Sequence, residues 1–398
     1  MRKLAAALLI GAFCLVFFAA CDNGGDGAIT VWCSAMDEGV ITRMVNDFKA
    51  VNPGVADIRV EICEDDLARE TFESGPSAAA DVICIPHDQL GALVSQGYLL
   101  EITGDAYTAA INENSAPSIY AGRSEAKQYG FPSSFETHML FYDRSILSDA
   151  AVETLEGILA SSIHEDGILF GMDFANAYFT ANWFYTYGCM LFGESGEDKD
   201  FCDFDNEAGV AAMTYLIENR DHFGNLDGDA AAKLFQEGVL GAYIGGPWNA
   251  AAITGALKGS YGCAKLPAVE GMDMRSFAGY KLYCVNAETK NRKAAMDLAA
   301  WLTSPENQKM RFQARNLIPV ARALADDIDV AVSTTAKAVM AQGANAVAMP
   351  SIPEMSNFWE PTGSFTLACY MGEITTDELP LRLRALTATI LGKSPLDD

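Results

Sequence analysis

The chain has 398 residues, half of them hydrophobic and a fifth charged, with 53 acidic against 27 basic side chains and a formal charge of −26. That balance excludes nucleic acid as a partner, because the field of the chain repels polyanions. The remaining composition is that of a globular protein whose length implies two domains.

At the start, Arg2 and Lys3 precede an apolar stretch over 4–18 and the run Ala19-Ala20-Cys21, the pattern of a secretory signal. The stretch is short for a bilayer and is followed by the small polar run 23–27 rather than a basic stop signal, so cleavage is expected. Phe18 stands where ordinary cleavage wants a small residue. Phe18-Ala19-Ala20-Cys21 instead resembles a bacterial lipobox with Phe in place of Leu, which makes 1–20 a lipoprotein signal peptide and Cys21 an acylated, membrane-tethering N-terminus. Residues 21–28 then form a flexible tether with little apolar surface to bury. Asp22 resembles the signal that keeps some lipoproteins at the inner membrane, which points to a periplasmic or other extracytoplasmic site. Cleavage removes Arg2 and Lys3 and no acid, leaving 25 bases against the 53 acids.

Past the tether, β-rich runs at 29–33, 58–63 and 81–85 alternate with helical patterns, which argues a mostly parallel sheet built from βαβ units. The first helix places Ile41, Met44, Val45 and Phe48 on one face, and Asn52-Pro53-Gly54 stops it. Cys33, Cys63 and Cys84 sit in runs that read as buried strands. The eight cysteines beyond Cys21 have no tight spacing and are expected to be mostly free thiols. A second α/β region starts near 137, with strands at 139–142, 168–170 and 242–245. A helix there carries Val210, Met213, Thr214 and Ile217 on one face behind an Asp205 or Asn206 cap. Ser304-Pro305 supplies an N-cap and a first-turn proline for a late helix.

Catalytic and cofactor motifs are missing. No HExxH, CxxC, GxGxxG or GxSxG occurs. Gly392-Lys393-Ser394 imitates the end of a phosphate loop, but Thr387 stands where its leading Gly belongs. Asp198, Asp200 and Asp203 lack the glycine and distal Glu of a calcium loop and read as a solvated connection. Neither metal nor cofactor is expected. Aromatic side chains instead gather among polar ones: 178–187 holds Tyr178, Phe179, Trp183, Phe184, Tyr185 and Tyr187, with Trp248, Phe358 and Trp359 further on. Phe179, Phe184 and Phe358 read as core. A Trp or Tyr beside a Gly-Pro turn or a cleft suits a sugar, whose C–H faces need flat platforms and whose hydroxyls need carboxylate or amide partners.

Several segments carry a resemblance over nearly all of the mature chain: ITVW at 29–32, DVICIPHDQLGALVSQGYLLEI at 81–102, Phe131-Pro132 through Glu136, Tyr178-Phe179-Thr180, FQEGVLGAYIGGPW at 235–248 and MPSIPEMSNFW at 349–359. With these the chain resembles the family 1 extracellular sugar-binding proteins of ABC importers, and within them the maltose- and maltodextrin-binding members. The resemblance implies an α/β, two-lobed periplasmic-binding-protein fold of type II, each lobe a mixed, mostly parallel sheet flanked by helices. Three crossings at the hinge fall near 134–137, 277–282 and 329–335. The N-terminal lobe comprises 29–134 plus 282–329, so helix 292–303 returns to it late in sequence, and the C-terminal lobe comprises 138–277 plus 335–398. Closure of the lobes on a ligand needs no catalysis.

By the same resemblance, Asp88 and Glu136 correspond to hydrogen-bonding acids of the sugar site, Tyr178, Trp248 and Trp359 to its aromatic platforms, and Met349 to a groove-lining residue. Gly246 and Pro247 shape the turn that presents Trp248. Departures fall at the same site. Ile85 replaces a Trp, Gln89 an Arg, and Asn176 an acid, while Asp37 or Glu38 occupies the place of a Lys and Glu360 that of a Tyr. Hydrogen-bonded specificity is sensitive to such exchanges. The expected function is capture of an oligosaccharide, of the maltose/maltodextrin class, by a monomeric lipoprotein that delivers it to ABC permease subunits. The alternative is a non-sugar or cationic solute bound by the same fold, and a third reading is an exported glycosidase using two cleft carboxylates.

Overall fold

A computed structural model describes residues 28–55 and 57–394. The signal segment 1–20, Cys21 and the tether up to residue 27 lie outside them. Strands β1 (Ile29–Cys33), β2 (Ile58–Ile62) and β3 (Val82–Pro86) run parallel and alternate with helices, β1 in the middle. After β4 (Gly130–Glu136) the chain enters a second sheet made of β5 (Met139–Asp143), β6 (Ile168–Met172), β7 (Phe223–Asn225), β8 (Leu240–Gly245) and β9 (Tyr261–Ala264). It returns through β10 (Ser276–Val285), and β11 (Ile318–Pro319) and β12 (Ala346–Ala348) complete the first sheet. The spatial orders are β11-β4-β10-β3-β1-β2, with β12 on the early part of β10, and β9-β5-β8-β6-β7. These two sheets with their helices are the two lobes of a type II fold.

Helix α1 (Glu38–Val51) buries Ile41, Met44, Val45 and Phe48, the stripe its periodicity expects. They pack into the core beside β1, together with Ala295, Met296, Leu298, Ala299 and Leu302 of α4, described below. In the second lobe, α2 (Ala177–Thr186) is buried on nearly every side, and only Tyr178 within it keeps partial exposure. Helix α3 (Glu207–Asn219) starts at Asn206, whose Oδ1 accepts from the Gly209 N–H at 2.9 Å. Its buried face is Gly209, Ala212, Met213, Leu216 and Ile217. Val210 and Thr214, expected inside, are only half-buried, because the helix packs closely at Gly209, where a Cβ would lie 1.9 Å from the Phe204 carbonyl oxygen. Helix α4 (Arg292–Leu302) lies on the first sheet, and its Trp301 indole donates to the Met44 carbonyl at 2.9 Å. Helix α5 (Pro305–Arg315) opens on the Ser304 cap, and α6 (Trp359–Met371) packs against α2.

The middle of the molecule is a pair of long strands. β10 runs antiparallel between β4 and β3, and its early residue Phe277 packs in the second-lobe core while Leu282–Val285 lie in the first. Thr137, just past β4, donates to the Phe277 carbonyl at 2.7 Å and bonds Ser276 Oγ at 2.8 Å. Segment 329–335 is helical on both sides of Ser333, which caps the helix Thr334–Gly343.

All eight described cysteines are free thiols. Cys33 and Cys84 are buried. Cys63, expected within a buried strand, lies one residue past β2 and is half-buried, because β2 is the edge of its sheet and only Ile58 on it is buried. No helix among the described residues is long and apolar enough to cross a membrane.

Candidate functional site

A cavity of about 630 Å³ lies where the two sheets meet at β4 and β10. Its one wall is aromatic. Tyr178 is the second residue of α2 and Trp248 follows the Gly246-Pro247 turn after β8, with ring centroids 6.1 Å apart. Gly246 is required there, since a Cβ would lie 2.2 Å from the Trp248 ring. Trp359 opens α6 and meets the Phe277 ring edge-on at 6.0 Å, while Phe277 stacks on Tyr178 at 6.0 Å. The hidden rings thus fix the platforms, as edge-to-face and offset stacking do in cores. Asn176 lines the cavity but spends its Oδ1 on the Tyr178 N–H as the cap of α2. Met349 completes this side.

The opposite wall and the floor are ionic. Asp88 stands on the turn after β3, Glu136 ends β4, Asp65 lies in the loop after β2, and Lys281 comes from the middle of β10. Lys281 Nζ is 3.3 Å from Asp65 Oδ2 and 3.9 Å from Glu136 Oε1. Burial pushes the Asp65 and Glu136 carboxyls up, with Lys281 opposing, and pushes Asp88 up to about 6 against the same ammonium. Burial acts to lower Lys281, but Glu136 and Asp65 outweigh it and the ammonium is held above its ordinary range.

The remaining residues expected at the site serve other ends. Asp37 borders the cavity, yet both its oxygens are taken: Arg311 Nη2 lies 2.6 Å from Oδ2 and Arg315 Nε 2.8 Å from Oδ1. Burial acts to raise its carboxyl, and the two guanidiniums hold it below the ordinary value instead. Arg311 also donates to Ser133 Oγ and lies 5.4 Å from the Tyr283 ring, so this buried pair anchors α5 to α1 and the first sheet. Gln89 lines the cavity with an amide that is already used. Its Nε2 donates to the Asp66 carbonyl at 2.8 Å and its Oε1 accepts from the Arg69 N–H at 3.1 Å, fastening the loop that carries Asp65. Glu38 and Glu360 do not line the cavity. Glu38 is exposed at the start of α1, where an acid complements the helix dipole. Glu360 is exposed in the first turn of α6 and accepts from Ser364 Oγ at 3.0 Å.

Of the aromatic run, Trp183 and Phe184 are wholly buried, Phe184 stacking on Phe204 at 4.1 Å. Phe179 is buried as expected but also borders the cavity. The sequence reading missed Asp65, Lys281 and Arg315. Lys281 had a signal: it is the single charge in an otherwise uncharged strand, SFAGYKLYCV. Asp65 had none within the acidic run Glu64-Asp65-Asp66. His87 is buried beside the cavity, bonded through Nε2 to the Met349 carbonyl at 3.0 Å while Nδ1 accepts from the Tyr280 N–H at 3.2 Å. That arrangement needs the neutral ring, and burial pushes its pKa down to about 4. Among the described residues no group of three or more His, Cys, Asp or Glu is placed to hold a metal ion.

Two lobes with a mixed aromatic and ionic cleft at a three-segment hinge define a solute-binding protein. The family model described as bacterial extracellular solute-binding protein matches residues 43–342, and the chain belongs to that family. It is 31% identical over 328 residues to the galactooligosaccharide-binding protein of Bacillus subtilis (strain 168), spanning 77% of each chain. A maltooligosaccharide ABC transporter solute-binding lipoprotein of Streptococcus pneumoniae (strain ATCC BAA-255 / R6) is 28% identical, over 77% of this chain and 75% of its own. Among solved structures, the maltodextrin binding protein MalE1 from L. casei BL23 without ligand superposes with a TM-score of 0.82 at 26% identity, covering 92% of this chain and all of that one.

Proposed function

We propose that this protein captures a neutral oligosaccharide between Tyr178, Trp248 and Trp359 on one side and Asp88 and Glu136 on the other, and hands it unchanged to the permease subunits of an ABC importer. The observation that carries the reading is the pairing of a ring-lined wall with an acid-lined one in a cavity of about 630 Å³. A sugar presents C–H faces to rings and hydroxyls to carboxylates, and this volume is in the range of small-molecule sites. The relatives named for galacto- and maltooligosaccharides support the ligand class. Closure about β4 and β10 holds the sugar because the closed form touches both walls at once.

In this reading the lipid on Cys21 keeps the receptor near its importer, raising its effective concentration there. A single acyl chain anchors marginally, so more than one is expected. Titration calorimetry with maltose, maltotriose, maltotetraose and galactooligosaccharides tests the proposal: binding without shortened products supports it. Folded protein that gives no heat with any of them, or that cleaves them, overturns it.

A further inference from the structure

The cations among the residues lining the cavity are Arg69, Lys281 and Arg315. Arg315 gives its Nε to Asp37, and the position where the resemblance leads one to expect a cation beside Asp88 holds Gln89. Lys281 reaches the cavity from a different element, the central crossing strand, and its placement is built. Along β10, Leu282 and Cys284 enter one core and Tyr283 and Val285 another, while Tyr280 lies against His87 and Phe135 at 5.6 and 5.4 Å. The β4 register shifts between Lys281 and Leu282, whose partners are Ser134 and Pro132, so Ser133 is left over. Pro132 has no N–H for the ladder, and the extra residue bends β4 at this point. On β10 the alternation is unbroken, so Lys281 falls on the face of Tyr283 and Val285, where that face passes from the core to the cavity.

The ammonium has three N–H donors. Asp65 lies within reach at 3.3 Å, but Glu136 Oε1, at 3.9 Å, is past ordinary hydrogen-bond distance. A ligand hydroxyl set beside that gap accepts from Nζ and donates to Oε1 together. Neither a protonated amine, which has nothing to accept with, nor an ether, which has nothing to donate, fills both roles. We infer that Lys281 is the specificity-determining residue of the cleft, gripping one sugar hydroxyl jointly with Glu136; the inference rests on the oligosaccharide reading above. The grip needs Glu136 ionised. Its ionisation is opposed by burial and by Asp65 and favoured by Lys281 and Arg311. Asp88, Cys84, His87, Arg69, Asp37 and, from the facing wall, the Tyr178 hydroxyl are the other charged and titratable groups on the neighbouring elements.

The test is calorimetry of wild type, Lys281→Met and Lys281→Arg with the sugars of the panel between pH 5.5 and 8, with a melting curve for each protein. Expected at pH 7.5 is an affinity on the order of tenfold lower or worse for Lys281→Met, the loss of a hydrogen bond to a charged donor. The deficit widens toward pH 5.5, because without the ammonium Glu136 protonates at higher pH. Lys281→Arg, which keeps the charge but not the ammonium position, falls between the two. A folded Lys281→Met that binds as wild type does, with the same pH profile, overturns the inference and leaves Lys281 as a neutraliser of buried acids. Should that variant not fold, Lys281→Arg decides: unchanged affinity at an unchanged melting temperature overturns the inference. A wild type that binds no sugar overturns the proposed function and this inference together.

Discussion

The two walls of the cleft differ in kind. The wall formed by α2, the turn after β8 and the segment leading into α6 contributes rings, Met349 and small polar groups, and no carboxylate or cation. Every lining acid and base stands on the other side or on the floor, on strands and loops of the first sheet, on the helix Ala68–Ser74 that follows β2, or on α5. A flat apolar wall acts through area and accepts any sugar with an exposed C–H face. An ionic wall acts through direction, because each hydrogen bond asks for one hydroxyl in one place. Changes to the first are expected to weaken all ligands together, and changes to the second to reorder them.

The largest expected effect attacks the foundation of the ionic wall. Asp37→Ala leaves Arg311 buried without its partner and should cost about 3–5 kcal/mol of stability in a denaturant titration. A loss below about 1 kcal/mol would mean the Arg311 charge finds water instead.

Next comes the ring wall. Trp359→Ala or Trp248→Ala should cost about 2–4 kcal/mol of binding for every sugar that binds, the range of an aromatic anchor in a desolvated site. A variant that loses one sugar and keeps another contradicts the contrast between area and direction.

Asp88→Asn sharpens the contrast from the other side. The wild-type carboxyl titrates near pH 6, so as pH falls through that value it loses an acceptor and the affinity should decline. In Asp88→Asn that portion of the decline should vanish, and the order of preference among sugars should change by about 1.5–3 kcal/mol.

A stability effect of comparable size is expected at His87, which joins the walls through the Met349 carbonyl. Its folded pKa of about 4 lies below the ordinary 6.5, so protonation favours the unfolded chain. Its contribution is complete above about pH 6.5 and is lost as pH falls toward 4. Thermal melts should show the advantage of wild type over His87→Gln shrinking across that window, and an advantage that grows toward acid refutes the assignment. The smallest effect belongs to Glu38→Gln and Glu360→Gln. Both side chains are exposed outside the cavity, so affinity should stay within about twofold, as for surface changes generally.

How far the sequence reached differs between the same two walls. Tyr178, Trp248 and Trp359 stood out as rings among polar residues, Trp248 beside a Gly-Pro turn, although their role as platforms came through resemblance. Asp88 and Glu136 were legible only through resemblance, since nothing in an acid-rich chain marks one acid from another. Gln89 and Asp37 line the cavity, but their bonding was not legible, because a hydrogen-bond partner 20 residues away, or Arg311 at a separation of 274, leaves no trace in a local pattern.

The sequence by itself determined the elements. Short apolar runs, period-3.6 stripes and the Asn206 and Ser304 caps are short-range physics, and they set β1, α1, α3 and α5 where they stand. Tertiary structure alone decided the charge arrangement of the cleft. Lys281, Asp65 and Glu136 come together because β10 crosses between the lobes beside β4 and the loop after β2 reaches the same cavity. In a buried site, which cation faces which carboxylate depends on a few ångströms of register.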